Sequence, residues 1–484
     1  AAKGSRSWTQ FRLDLMNDAG RRLVVEAAKK VNPRARVTIK YPNWYEHFAG
    51  LGFDLQEGPK IFDGIYTGTE TRDPNNTDQY LQQYESYEII RYFENIAPGR
   101  NGGGWVDTYG SLYVDRYAEQ LWDTMFAGAR EMTLFNWALL LQPSAPGARD
   151  EWAGKPTTFS YDAMVKYRPD AGATAPATPT MARVAGYAMD QADAAVGNVG
   201  HPIGIRSYRP PHATGEDFLH NYIGMLGIPV EMQATFPDDA PIVLLTADAK
   251  GDPAIIDKIK AHLRAGKTVV VTSGFAQAMQ GHGLEDIVEV ETSGRHFLTD
   301  GYSAGFGPGN RAALANKVTG APPIMFPQIG FLTNDAWALV SGMSDGVGYP
   351  LLLLDRYGHD GRFYIWTIPD DFHDLYRMPP AVLTAIKNTL MEGFPVRIDG
   401  PSEVALFAYD NNTIIVQSFL AQDADVHVRT LGPSNHLRDV TSGEIIEGQA
   451  PELPNGPWRR LVEPRHSFAV RIPPHSFRVF RIEP

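Results

Sequence analysis

Along residues 11–137, short apolar runs alternate with longer segments of helical periodicity, and this alternation limits the fold more than any other feature of the chain. Leu23, Ala27 and Val31 fall on one face of a helix over residues 11–31, which Asn32-Pro33 ends because proline cannot continue it. The runs 36–41 (RVTIKY), 61–66 (IFDGIY), 103–106 (GGWV) and 131–137 (EMTLFNW) read as strands. Helices over 77–96 and 112–129 separate the last three. Tyr80, Tyr84 and Tyr87 recur at helical spacing in the first, and Val114, Tyr117, Leu121 and Met125 in the second. Such alternation predicts a parallel sheet with crossover helices, built as an open doubly wound sheet or a barrel.

The exits of these strands are richer in polar and aromatic residues than the entries, which places a catalytic face at the strand C-termini. Two exits carry an acid: Glu70 within GTETRD and Asp107 within GGGWVDTYG, both set among Gly, Trp, Tyr and Arg. Acids in such company point to carbohydrate chemistry, because glycoside hydrolysis uses two carboxyl groups flanking the bond. Either Glu70 or Asp107 can serve as a catalytic acid, with Glu70 slightly ahead, or either can bond loop backbone. Arg72, two positions from Glu70, can hold that carboxylate ionised or clamp a sugar hydroxyl. Lys40, Trp44, Tyr45, Tyr109, Asn136 and Trp137 are the candidate substrate contacts, the aromatics as stacking walls and the others as hydrogen-bonding groups. Trp105, inside a strand, and the tyrosine stripe read as packing. Glu85 and Glu88 read as solvated or paired with Arg91.

After a looser stretch over 142–200, with the linker-like run ATAPATPT at 173–180 and a helix over 181–196, a second α/β pattern begins. Strands over 203–208, 241–247 and 267–274 alternate with helices over 215–226 and 253–265, a flavodoxin-like or amidotransferase-like arrangement. Strands at 351–355 and 362–368 and a helix over 380–391 follow. From residue 401 the period changes to two, in EVALFAYD, TIIVQSFL, DVHVRTL, HSFAVRI and SFRVFRI, which predicts a closing antiparallel β-sandwich. The expected division is 1–145, a linker at 146–200, 201–397 and 398–484.

At 484 residues the chain is too long for one core. A net charge of -12 and the lack of a basic stripe argue against nucleic acid, and no run approaches the roughly 20 apolar residues of a membrane span. Cysteine is absent, which excludes disulfides, thiolate metal sites and the thiol chemistry of an amidotransferase, and fits either a cytoplasmic or an exported protein. His201, His212 and His220 lack metal-ligand spacing. The glycine-rich 305–309 lacks the context of a phosphate loop, and Thr272-Ser273-Gly274 misses the serine elbow. Asp370-Asp371-Phe372-His373 reads as a surface loop or an interface. A carbohydrate is the expected partner, with no cofactor. The first residues show neither an initiator Met nor a signal-peptide pattern, so a processed or truncated product is expected.

Strands of barrel type, then a flavodoxin-like domain, then a small β-sandwich: this order resembles the β-galactosidases of glycoside hydrolase family 42. The motifs KYPNWY, GTETRD, GGGWVD and LFNW are also similar to those of uncharacterised glycosidase-like bacterial proteins. The resemblance implies that the four strands are the fifth to eighth of a (β/α)8 barrel, which needs about 250 residues where only about 140 precede the linker. It places the general acid/base upstream, at the end of the fourth strand. It puts Asp107 at the nucleophile position, where the family has a glutamate. It makes the middle domain a trimerisation-type unit, hence a homo-oligomer (dimer or trimer). The implied activity is retaining hydrolysis of β-linked glycosides of galactoside or mannoside type. The rival reading is a carbohydrate-binding or structural protein on a degenerate barrel.

Overall fold

The computed structural model describes residues 7–43, 48–72, 81–111, 113–143, 154–168, 178–299, 301–305, 312–316, 322–333, 335–451 and 463–484. Trp44, Tyr45, Tyr80 and most of the 173–180 run lie outside them, as do residues 306–309 of the glycine-rich stretch.

The first unit is a parallel sheet in sequential order: β1 (Thr38–Tyr41), β2 (Gly64–Gly68), β3 (Asn101–Val106) and β4 (Glu131–Leu134). The helices Glu85–Ile96 and Val114–Phe126 make the crossovers after β2 and β3. Pleating sends alternate residues to opposite faces. Tyr41, Ile65 and Val106 are buried on the helix side, whereas Lys40 and Glu131 are exposed and Tyr66 and Trp105 half-buried. The strand at residues 61–66 is shifted from its expected place: Gly58–Ile61 is a helical turn and the strand starts at Gly64. Residues 131–137 also divide, because Asn136 caps a short helix, Trp137–Leu140.

The middle unit is built on a nine-stranded sheet. Its parallel half runs Val230–Gln233, Ile205–Tyr208, Ile242–Leu245, Thr268–Thr272, Gly361–Trp366, the 2-1-3-4-5 order of flavodoxin-type sheets. An antiparallel extension, Gly301–Ala304, Ala312–Asn316, Trp337–Ser344 and Val347–Tyr357, was not visible in the periodicity beyond its last strand. The C-terminal unit packs a three-stranded sheet (Val396–Asp399, Ala424–Leu431, Arg465–Ile472) against a six-stranded one. The strand Pro202–Ile203 joins that larger sheet beside Val404–Tyr409.

Val404–Tyr409 and Thr413–Ser418 are buried on both faces, because their outer face receives the helices of the first unit. Phe407 stacks on Tyr84 at 5.6 Å and packs against Tyr87 and Phe126. The described part of the tyrosine stripe is therefore packing, as expected. Glu85 and Glu88 correct the sequence reading: neither is solvated and neither pairs with Arg91. Both are fully buried against the middle unit, where Glu85 accepts from the Asn221 side chain and Glu88 faces His220 Nδ1 at 3.9 Å. Arg91 bonds Glu231 instead, at 2.6 Å. A helix face that looks solvent-directed within one domain is here an interface between two. The 370–373 cluster likewise lies at an interface, with His373 beside Tyr222 and Gln82.

Candidate active site

The ends of β2 and β3 are held together by small residues and by side-chain braces. A Cβ on Gly68 would stand 2.9 Å from the backbone nitrogen of Asn43 and 3.1 Å from the Trp105 ring, so glycine lets the loop after β1 close over β2. Asn43 Nδ2 then donates to the Glu70 carbonyl at 2.6 Å. From the other side Ser86 Oγ donates to the Thr69 carbonyl at 2.6 Å. Gln120 Oε1, on the crossover helix, accepts from the backbone N–H of Thr71 at 2.7 Å and of Arg72 at 2.9 Å. Those bonds hold Arg72 at a left-handed φ of 58°, an uncommon backbone state of the kind that concentrates at functional sites.

The result is a compact charge group. Arg72 Nη2 lies 3.9 Å from Glu70 Oε1 and 3.6 Å from Asp107 Oδ2, so one guanidinium bridges the two strand-end acids. The same guanidinium sits over the Tyr109 ring at 5.3 Å. Asp107 Oδ1 accepts from the Tyr109 N–H at 2.9 Å, which fixes the turn after β3. Asp107 is partly open, its side chain 14% exposed, whereas the Glu70 side chain is 2% exposed. Burial pushes the Glu70 carboxyl up to about 8; the neighbouring Asp107 charge adds to this, while backbone N–H groups and Arg72 pull against it. At neutral pH Glu70 therefore holds a proton.

Around this group the hydrogen-bonding account is incomplete. Glu70 Oε2, Asn43 Oδ1, Thr69 Oγ1, Thr71 Oγ1 and Tyr117 OH are buried without partners among the described residues. Buried polar atoms normally find a partner, so a cluster of five at the strand ends marks a place where water or ligand hydroxyls belong.

Of the residues read from the sequence, the structure brings together Glu70, Arg72, Asp107 and Tyr109. Lys40 stays apart: its ammonium lies 5.7 Å over Trp105, on the open face of the sheet. Trp105 itself is half-buried and donates from Nε1 to the Tyr41 carbonyl at 3.1 Å. Asn136 turns its side chain to the Ala138 N–H at 2.9 Å, a capping bond. Trp137 is 76% exposed at the rim after β4, free to stack on a ligand. Trp44 and Tyr45 lie outside the described residues. Sequence reasoning missed Asn43, Ser86, Tyr117 and Gln120. Asn43 stood in a strand exit and was open to notice; Gln120, on a helix 48 residues beyond Arg72, carried no local signal. Among the described residues no group of three or more His, Cys, Asp or Glu is placed to hold a metal ion, and no helix is long and apolar enough to cross a membrane.

Parallel strands ending in acids, a flavodoxin-order sheet and a closing β-sandwich together form a fold shared with solved β-galactosidases. More particularly, residues 1–198 match the family model described as probable glycosyl hydrolase, catalytic domain, and residues 395–482 its C-terminal domain. Residues 200–371 match the second domain of the uncharacterized protein SSO3021. The curated relative SSO3021 of Saccharolobus solfataricus is 33% identical over 147 residues, covering 29% of this chain and 24% of that protein.

Solved structures share the fold at low identity. The β-galactosidase from Bacillus circulans sp. alkalophilus aligns over 98% of this chain and 67% of its own, with a TM-score of 0.54 and 11% identity. A catalytic mutant of a GH42 β-galactosidase from G. stearothermophilus gives 0.52 and 12%, over 99% of this chain and 68% of its own. An α-L-fucosidase isoenzyme from Paenibacillus thiaminolyticus gives 0.50 and 12%, over 88% and 66%.

Proposed function

We propose that the chain is a glycoside hydrolase acting on β-linked, neutral or weakly charged glycosides of galactoside or mannoside type, with net retention. The observation that carries this reading is the Arg72 guanidinium bridging Glu70 and Asp107, one acid buried and proton-holding, the other partly open. Asp107 is assigned as the nucleophile: its carboxylate attacks the anomeric carbon as the bond to the leaving oxygen breaks, and water then releases the glycosyl group. Glu70 supplies a proton or a hydrogen bond to the sugar, and Tyr109 and Trp137 supply apolar faces. The glycosyl hydrolase and β-galactosidase descriptions of the matching model and structure support the glycosidase class of this reading, not its residue roles.

In the same reading, residues 1–145 are the C-terminal part of a (β/α)8 barrel, 146–200 a linker, 201–397 the flavodoxin-like domain and 398–484 the sandwich. Support comes from β1 and β4, each of which pairs on one side only among the described residues, and from the open face bearing Lys40 and Trp105. Four more strands would cover that face, and the one ending in the general acid/base would complete the site. The middle domain is proposed to hold a homo-oligomer together, as the family 42 resemblance implies. The open sheet also favours a second reading, sugar binding without turnover. Hydrolysis of aryl β-glycosides by the wild type, lost in Glu70→Gln and Asp107→Asn, is the expected result. Binding with no turnover selects the second reading, and unchanged hydrolysis in both variants overturns the two assignments.

A further inference from the structure

A cleft of about 430 Å³ lies between the helix Met181–Val196 and the C-terminal sandwich. That volume is within the roughly 300–1,000 Å³ of small-molecule sites, which favour domain interfaces. It is separate from the strand-end acids. Phe477, on its wall, packs against Trp122 at 5.2 Å and Phe126 at 5.0 Å, so the helix Val114–Phe126 stands between the cleft and β3.

Its chemistry is balanced. Arg478 is committed to Asp439 at 2.7 Å and Glu444 at 2.6 Å, and Arg471 to Asp425 at 3.1 Å and Asp423 at 3.5 Å. With each guanidinium already paired to two carboxylates the cleft carries little unbalanced charge, and hydroxyl groups can add to the remaining donors and acceptors. Thr158, Thr441 and Ser442 contribute hydroxyls, and Asp439 holds the turn bearing the last two through their N–H groups at 2.9 Å each. Ala194, Pro473 and Phe477 give an apolar wall suited to the C–H faces of a pyranose.

We propose that this cleft is a second carbohydrate site, taking a short neutral oligosaccharide without cleaving it. The saccharide class rests on the glycosidase reading above; the site itself rests on the cleft. Its consequence is that the protein grips a glycan at a point remote from the bond being cut, which raises the local concentration of substrate.

The test uses the full chain and a panel of neutral di- and trisaccharides beside uronate-containing ones, with binding followed by ligand-observed NMR and calorimetry. Ala194, exposed on the helix, and Thr441, exposed on the facing turn, are replaced singly in Ala194→Trp and Thr441→Trp to fill the cleft from opposite walls. The expected result is binding of neutral members that survives in Glu70→Gln/Asp107→Asn and weakens at least tenfold in both tryptophan variants, with hydrolysis of small aryl glycosides unchanged. Binding that disappears in the acid double variant and persists in the tryptophan variants overturns the proposal while leaving the glycosidase assignment standing. Binding sensitive to the tryptophans in a chain that hydrolyses nothing supports the cleft and sinks the catalytic reading. Preference for the uronates, or no saccharide bound by any form, overturns the cleft assignment.

Discussion

Replacing Glu70 with glutamine separates the role of its proton from the role of its shape. Carrying a carboxyl from its ordinary 4.5 up to about 8 means that the folded chain keeps a proton that the unfolded chain releases. The sign follows: between about pH 4.5 and pH 8 the folded state binds more protons, so the stability contributed by Glu70 falls as pH rises and levels off above the folded value. At about 1.4 kcal/mol for each tenfold change in proton affinity, the loss across that window is about 5 kcal/mol. The glutamine amide has no proton to lose and would leave the Arg72–Asp107 contact in place. Glu70→Gln and wild type should therefore unfold at similar denaturant concentrations near pH 4.5, with the variant gaining a few kcal/mol by pH 8.5. Activity should move the other way, falling as the Glu70 proton's contact with the sugar is lost, with no steeper loss for poor leaving groups because the general acid is assigned to another strand. Wild-type activity should decline as pH rises through about 8. If the two unfolding midpoints run parallel across this pH range, Glu70 is not the buried proton-holding group described, and its assigned contact with the sugar falls with it.

Asp107→Asn should abolish hydrolysis of activated aryl glycosides and be partly rescued by azide, with the azide adduct inverted at the anomeric carbon; a rescue product of retained configuration would refute the nucleophile assignment. Gly68→Ala places a Cβ 2.9 Å from a backbone nitrogen that side-chain motion cannot clear, so it should cost about 1–3 kcal/mol in thermal or chemical unfolding and lower kcat. An unaltered melting curve would show that the close approach is not required. Gln120→Ala removes the acceptor for two buried N–H groups and should cost about 2 kcal/mol while raising KM and lowering kcat together; Gln120→Glu, which keeps an acceptor, should recover part of the loss. Light scattering on the full chain should give a dimer or trimer, and a monomer would remove the oligomer from the proposal.

Much of the fold was legible because the strands are short, apolar and bounded by turn residues. Four of the five parallel strands of the middle sheet and five strands of the sandwich fall where their periods place them, whereas Val230–Gln233 was not read as a strand. The antiparallel extension of that sheet did not declare itself. Trp337–Ser344 mixes buried and half-buried residues irregularly around bulges in its pairing with Val347–Tyr357, so no clean period of two survives. Residues 61–66 misled for a different reason. Ile61 and Phe62 look like the start of a strand, yet Pro59 starts a helical turn there and the pairing with β1 begins only at Gly64.

The site divides along the same line between local and distant causes. Glu70, Arg72, Asp107 and Tyr109 were found because strand exits on a parallel sheet converge, and nothing beyond the chain's own alternation is needed to see it. What sets the chemistry of Glu70 is not local. Its burial depends on a loop drawn in by Gly68 and Asn43, and its backbone is braced by Gln120 from the next crossover helix. From GTETRD alone, one of the two roles open to Arg72 is to keep Glu70 ionised. The structure reverses that expectation, because the guanidinium is shared with Asp107 and stands 3.9 Å from Glu70, and the desolvation of a nearly inaccessible carboxyl outweighs it. The protonation of Glu70 thus follows from its depth in the fold rather than from its spacing to Arg72.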